Sequence, residues 1–108
     1  MARWMDLCAL EELPVNQGRQ VEAGGTLLAV FRLEDGTVRV TDDACPHAGA
    51  SLAFGMVQGR CVTCPRHYWV FSLDTGKMPD ADWERLKVYP VKVENGRVWV
   101  EMLEKEAG

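Results

Sequence analysis

The sequence lacks any run of about 18 apolar residues, the length that a membrane-spanning helix needs. Its first residues carry a base, Arg3, and then an acid, Asp6, where a secretory signal would have an apolar stretch. Positive charge is also scarce, because 12 Lys and Arg face 16 Asp and Glu, for a formal net charge of −4. Since nucleic acids are bound mainly through Lys and Arg, we expect a cytoplasmic protein that binds neither nucleic acid nor membrane.

The G-x-G-x-x-G fingerprint of dinucleotide-binding proteins is missing as well. The protein should therefore not oxidise NADH itself. A length of 108 residues suits a single domain, which we expect to cover residues 1–108. Helical periodicity is nearly absent, and short apolar runs alternate with Gly, Asp and Asn. This pattern predicts an all-β fold.

Two hairpins are predicted. The first joins residues 26–33 to residues 37–41 through Glu34-Asp35-Gly36, and a further strand at 19–22 precedes it. The second joins residues 87–94 to residues 97–102 through Asn95-Gly96, the dipeptide best suited to a type I′ turn. Pro90 falls within the run 87–94 and should place that strand at an edge or a bulge, since proline cannot donate to the ladder.

The chemistry is concentrated between these hairpins, where Cys45-Pro46-His47 is followed by sixteen residues and then by Cys64-Pro65-Arg66-His67. Short β-like pieces lie at 60–63 and 70–73. One or two residues between ligands let neighbouring side chains converge on one metal centre, and in a reducing compartment cysteines are more often ligands than disulfides. Both histidines of the chain belong to this pattern. From ligand types alone, a mononuclear Cys2His2 zinc site remains open beside an iron centre, and a catalytic Cys-His pair is less favoured.

We call Cys45-Pro46-His47 the first clamp and Cys64-Pro65-Arg66-His67 the second clamp. Together with the loop residues Ala48-Gly49 and the later Thr75-Gly76, these two clamps resemble the Rieske family. The resemblance implies one 2Fe-2S cluster, with Cys45 and Cys64 on one iron and His47 and His67 on the other. It also implies a single domain of antiparallel sheets, a β-sandwich or barrel, with a cluster-binding subdomain made of two loops at about 42–82.

Other positions refine what the resemblance implies. High-potential relatives carry a loop disulfide and Ser and Tyr hydroxyls beside the cluster, whereas this chain has Ala50, Arg66, Trp69 and Phe71, so we expect a low Rieske potential. Tyr68 stands where the family usually has Gly. Trp69 should shield the cluster or meet a partner, and Gly76-Lys77-Met78-Pro79 resembles a third loop that covers the cluster. Cys8 and Cys61 are expected to be buried core thiols, although a Cys61-x-x-Cys64 pair is an alternative that leaves His67 unused.

A one-electron centre without a substrate pocket must serve a larger redox protein: a flavoprotein, a sirohaem reductase or an oxygenase. The opening Trp4-Met5-Asp6-Leu7-Cys8 and the first clamp loop are similar to the small subunit of NAD(P)H-dependent nitrite reductase. The second clamp is similar to the ferredoxin component of ring-hydroxylating oxygenases, which is the alternative. A structural zinc module and a redox sensor complete the hypotheses.

Overall fold

Ten strands and two single-turn 3₁₀ helices make up the described chain. The computed structural model describes residues 2–46, 49–66, 68–79 and 81–103. The 3₁₀ turns lie at Leu10–Glu12 and Leu52–Phe54. The strands are β1 Ala2–Ala9, β2 Gln17–Ala23, β3 Thr26–Arg32, β4 Val38–Asp42, β5 Met56–Gln58, β6 Cys61–Thr63, β7 Val70–Ser72, β8 Val88–Tyr89, β9 Val91–Glu94 and β10 Arg97–Leu103.

The strands form three antiparallel sheets, in the orders β1-β10-β9, β2-β3-β4-β8 and β5-β6-β7. The expected all-β fold is therefore confirmed. No helix in the described ranges is long and apolar enough to cross a membrane.

Strand β3 is buried on both faces, and this explains its almost unbroken apolar sequence. Leu28 and Val30 enter a core that they share with β1 and β10. Ala29 and Phe31, which point the other way, enter a second core beneath the small β5-β6-β7 sheet. The four-stranded sheet thus separates two cores, and the second core contains Cys45 and Cys64.

The two predicted hairpins are confirmed. Strands β3 and β4 pair with Arg32 opposite Val38, and β9 and β10 pair with Glu94 opposite Arg97. Asn95 and Gly96 have φ values of 52° and 74°, as a type I′ turn requires. The predicted pieces at 60–63 and 70–73 correspond to β6 and β7, whereas β5 was missed.

The prediction of one strand over residues 87–94 is wrong. Pro90 divides this run into β8 and β9, and the two strands belong to different sheets. The physical reason is that proline has no N–H to donate, so a ladder stops there. Both strands lie at the edge of their sheet, which agrees with the position expected for a proline-containing segment.

A network of four charged side chains connects the small sheet to the central one. The Arg60 guanidinium donates to both carboxylate oxygens of Asp74, at 2.7 and 2.8 Å, and also to Asp35 at 2.7 Å. Arg39, on β4, donates to Asp74 at 3.0 Å. The hydrogen bonds from Arg60 lower the pKa of Asp74 to about 2.

Replacing Asp74 with Asn should lower the free energy of unfolding by about 1 kcal/mol at pH 7, since the carboxylate is a third exposed and partly screened by water. Its folded-state pKa lies below that of an unfolded carboxyl group, so the stabilisation is present above about pH 4 and fades as the pH falls toward 2. Chemical denaturation of both proteins from pH 7 to pH 3 measures this. Glu12→Gln, which removes the single long contact to Arg19, is the control and should cost less than about 0.5 kcal/mol. A gap between wild type and Asp74→Asn that stays constant with pH would contradict the assignment.

Candidate metal centre

The two predicted cysteine ligands lie in one core. Cys45 is 2% exposed and Cys64 is fully buried, and both pack in the cluster of side chains that includes Phe31, Leu52 and Phe71. The predicted ligands His47 and His67 fall outside the described residues. Within the described ranges there is correspondingly no group of three or more His, Cys, Asp or Glu side chains that could hold a metal ion. The structure therefore places both predicted thiol ligands in the same core, and their role as ligands stays a prediction.

The two clamp loops share one hydrogen-bond pattern. In the first, the N–H of Cys45 donates to the carbonyl of Ala50 at 2.8 Å, and the N–H of Gly49 donates back to the carbonyl of Cys45 at 2.8 Å. In the second, the N–H of Cys64 donates to Trp69 at 2.7 Å, and that of Tyr68 donates back to Cys64 at 2.9 Å. Each loop thus closes on its cysteine four and five residues later.

The fourth residue after each cysteine has a left-handed backbone. Gly49 has a φ of 70° and Tyr68 a φ of 60°. Glycine adopts this conformation freely, whereas a residue with a Cβ pays roughly 1 kcal/mol or more. The substitution of Tyr for the family's usual Gly therefore leaves the turn intact at an energetic cost. Because the Tyr68 side chain is 76% exposed, it does not fill space in the core.

The base of the first loop is held by Asp43, which sequence reasoning missed. Its buried carboxylate accepts hydrogen bonds from Gln20 at 2.7 Å, from the Ser51 hydroxyl at 2.8 Å and from the Ala53 N–H at 3.1 Å. These contacts join the loop to β2 and to the second 3₁₀ turn. An acidic residue two positions before the first clamp was the only signal, and sequence alone does not reveal its three partners.

A third segment, Gly76-Lys77-Met78-Pro79, contributes Met78 to the packing around this core. Gly76 has a φ of 79°, and a Cβ placed there would lie 1.9 Å from the Leu86 carbonyl oxygen, so only glycine fits. The Leu86 N–H donates to Gly76 at 2.8 Å. Met78 and Trp69 pack against the core that contains both cysteines. That this segment covers a cluster, and that Trp69 shields it or meets a partner, stay predictions.

The other two cysteines differ from each other. Cys8 is buried as predicted, and burial raises the pKa of its thiol, which makes it a poor nucleophile. The prediction that Cys61 is buried is wrong, because it is only half-buried. Residues along β6 alternate, so the inward position is taken by Val62 and the side chain of Cys61 lies on the outer face. None of the four cysteines, all of which are described, forms a disulfide.

The donor set fits an iron-sulfur cluster. Two thiols converge on one apolar core, on loops whose backbones are fixed by hydrogen bonds to their own cysteines. Thiolates are the ligands that such clusters take, and a surrounding apolar shell limits the access of water.

Comparison with known proteins gives the same picture. The family of Rieske-like [2Fe-2S] domains matches residues 3–101. The ferredoxin component of the naphthalene 1,2-dioxygenase/salicylate 5-hydroxylase systems of a Ralstonia species is 34% identical, over 92% of this chain and 95% of its own length.

Among solved structures, one from Mycobacterium tuberculosis, assigned as the small subunit of an NADH-dependent nitrite reductase, has a TM-score of 0.87 and 31% identity, covering 95% of this chain and 97% of the other. A chain from a complex of reduced oxygenase and oxidised ferredoxin in carbazole 1,9a-dioxygenase has a TM-score of 0.80 and 33% identity, covering 90% and 91%. By contrast, the chain spans about a fifth of the length of the cholesterol 7-desaturase of Caenorhabditis elegans that it also matches.

Separate substitutions at the two left-handed positions should change the free energy of unfolding in opposite directions. Tyr68→Gly removes the backbone strain and should raise the free energy of unfolding by up to about 1 kcal/mol. Gly49→Ala adds the same strain without a clash, since nothing lies within 4 Å of the added Cβ, and should lower it by about 1 kcal/mol. Thermal unfolding followed by circular dichroism measures both. Destabilisation by Tyr68→Gly would show that the tyrosine ring contributes more than its backbone costs.

Proposed function

Since the chain belongs to the family of Rieske-like [2Fe-2S] domains, we propose that it carries one such cluster on Cys45, His47, Cys64 and His67 and serves a larger oxidoreductase. The chain is a Rieske-type electron-transfer protein. The observation that carries the ligand assignment is the burial of both cysteines in a single core, at the start of two loops with the same hydrogen bonds. The two histidines complete the set because each follows a cysteine within its loop.

The residues of the site have separate tasks in this proposal. Cys45 and Cys64 would supply two thiolates from the buried core, and His47 and His67 would supply two neutral imidazoles. Asp43 fixes the base of the first loop through its three hydrogen bonds. Trp69 and Met78, which pack against the core of the two cysteines, limit the access of water to the site. The group would supply reversible one-electron chemistry, and two neutral imidazoles in place of two thiolates would raise its reduction potential above that of an all-cysteine cluster.

For the partner, we infer the large subunit of an NAD(P)H-dependent nitrite reductase. Support comes from the likeness to the Mycobacterium tuberculosis small subunit, which extends over nearly the full length of both chains. A ferredoxin component of a ring-hydroxylating dioxygenase is the second candidate, favoured by the 34% identity to the Ralstonia protein. A stable complex with the nitrite reductase large subunit supports the first, and transient, salt-sensitive binding to an oxygenase supports the second. We retain the cytoplasm as the proposed location.

Replacing each of two cysteines that lie three positions apart tests the ligand assignment. Cys64→Ser should abolish the cluster, because serine removes the thiolate that binds iron. Cys61→Ser should leave the cluster in place, since Cys61 lies on the outer face of β6. The measurement is visible absorption together with iron and acid-labile sulfide per chain. An intact spectrum in Cys64→Ser, or in a variant that replaces His47 or His67, would refute the assignment.

The electron-transfer function predicts reversible one-electron reduction with a midpoint in the lower part of the Rieske range, which spans about −150 to +300 mV. The reason is that Phe71 is fully buried and, like Ala50 and Trp69, brings no hydroxyl to the site. A redox titration monitored by electron paramagnetic resonance measures the midpoint. A value well above zero would contradict the low potential, and the absence of any reversible reduction would contradict the function and favour a structural zinc module.

A further inference from the structure

The two clamp loops are anchored to the protein in different ways. The second clamp loop continues the β6-β7 hairpin, because Thr63 pairs with Val70 and the next residue, Cys64, donates its N–H to Trp69 at 2.7 Å. Backbone hydrogen bonds thus run from the sheet into the loop without a break. Since each of them is supported by its neighbours in the ladder, this loop should open only together with the hairpin.

At the base of the first clamp loop, strand pairing is reduced to an isolated bridge between Ala44 and Ser51. Strand β4 has already ended at this point, and the chain leaves the loop through a single-turn 3₁₀ helix. The backbone of Asp43 adds two hydrogen bonds, one donated to Leu27 at 3.1 Å and one accepted from Leu52 at 2.7 Å. Further closure of this loop comes from side chains.

The Asp43 carboxylate joins the two ends of the first clamp loop. Asp43 precedes the loop, and it accepts hydrogen bonds from the Ser51 hydroxyl at 2.8 Å and from the Ala53 N–H at 3.1 Å, both of which follow the loop. Gln20, on β2, donates to the other carboxylate oxygen at 2.7 Å and to the Ser51 hydroxyl at 3.4 Å. Asp43 is 4% exposed, whereas Gln20 is exposed. We call the three side chains of Gln20, Asp43 and Ser51 the clasp.

The buried carboxylate makes closure of the first clamp loop cooperative. Hydrogen bonds to a charged acceptor are roughly twice as strong as those between neutral groups, and a carboxylate that loses its protein partners must bind water instead. When Ser51 and Ala53 move away together, Asp43 loses two of its three side-chain hydrogen bonds at once. The base of the loop therefore has two arrangements, one closed on protein donors and one open with the carboxylate hydrated.

We propose that Asp43 is a positioning residue that holds the first clamp loop closed over the cluster, and that this loop opens at the clasp when the cluster enters or leaves. The proposal rests on the proposed function. Cys45 is 2% exposed and Cys64 is fully buried, so a loop must move before either thiol can exchange its ligand bond. The exchange replaces these thiolates with the ligands of a donor protein or a chelator, and no electron is transferred. The clasp, which has one exposed member, opens more readily than the β6-β7 ladder.

The test uses the cluster-loaded full chain and compares Gln20→Ala, Ser51→Ala and Ser51→Thr. The two alanine variants each remove one hydrogen bond from Asp43, whereas threonine keeps the hydroxyl. In both alanine variants, amide hydrogen exchange in residues 43–54 should rise by about tenfold, and EDTA should remove the cluster at least about fivefold faster. Exchange in residues 61–72, the visible spectrum and the midpoint potential should match the wild type. Ser51→Thr should stay within about twofold of the wild type in every measurement.

Asp74→Asn is the matched control, because it weakens the charged network of the small sheet and leaves the clasp intact. It should lose its cluster to EDTA within about twofold of the wild-type rate. Equal rises of exchange in residues 43–54 and 61–72, an unchanged rate of loss in both alanine variants, or an equally fast loss in Asp74→Asn would overturn the positioning role of Asp43 and leave the proposed function standing. A wild-type chain that binds no 2Fe-2S cluster would overturn the proposed function, and this role with it.

Discussion

The burial of β3 on both faces is the constraint on which the rest of the structure depends. Leu28 and Val30 fill the core shared with β1 and β10, and Ala29 and Phe31 fill the core that contains the two cysteines. A strand in this position cannot shift by one residue, because the shift would exchange its two faces. The register of β3 therefore fixes the floor beneath the clamp loops. The core that contains Cys45 and Cys64 thus lies on one face of this sheet, and the core shared with β1 and β10 lies on the other.

The two clamp loops have the same backbone conformation and the same hydrogen bonds. Each cysteine donates its N–H to the residue five positions later and accepts from the residue four positions later. The position that must be left-handed is glycine in one loop and Tyr68 in the other. The turn survives the change because the hydrogen bonds and the buried cysteine over-determine it. The energetic cost of the left-handed conformation of Tyr68 therefore remains local to this turn.

The site also shows a gradient from the interior to the surface. Cys45 and Cys64 are buried, Trp69 and Met78 are partly buried where they pack against the same core, and Trp83 is exposed. An electron carrier needs this arrangement, since the redox centre must be protected from water and yet remain within tunnelling distance of a partner. Asp43 and Gly76 contribute indirectly. Asp43 holds the base of the first clamp loop through hydrogen bonds, and Gly76 allows the segment 76–79 to pass close to the Leu86 backbone.

The sequence by itself determined the features that depend on neighbouring residues. Cys45 and Cys64 were identified by their spacing to histidine and proline, and the hairpins by turn dipeptides such as Asn95-Gly96. The ligand role of Cys45 and Cys64, and of the two histidines, which lie outside the described residues, stays a prediction. Only the tertiary structure decided the division of residues 87–94 between two sheets, the partial exposure of Cys61, the partners of Asp43 and the pairing of Trp69 with Trp83. These features join residues that are distant in the chain, or they depend on which face of a strand is buried. Neither property can be predicted from the neighbouring residues in the sequence.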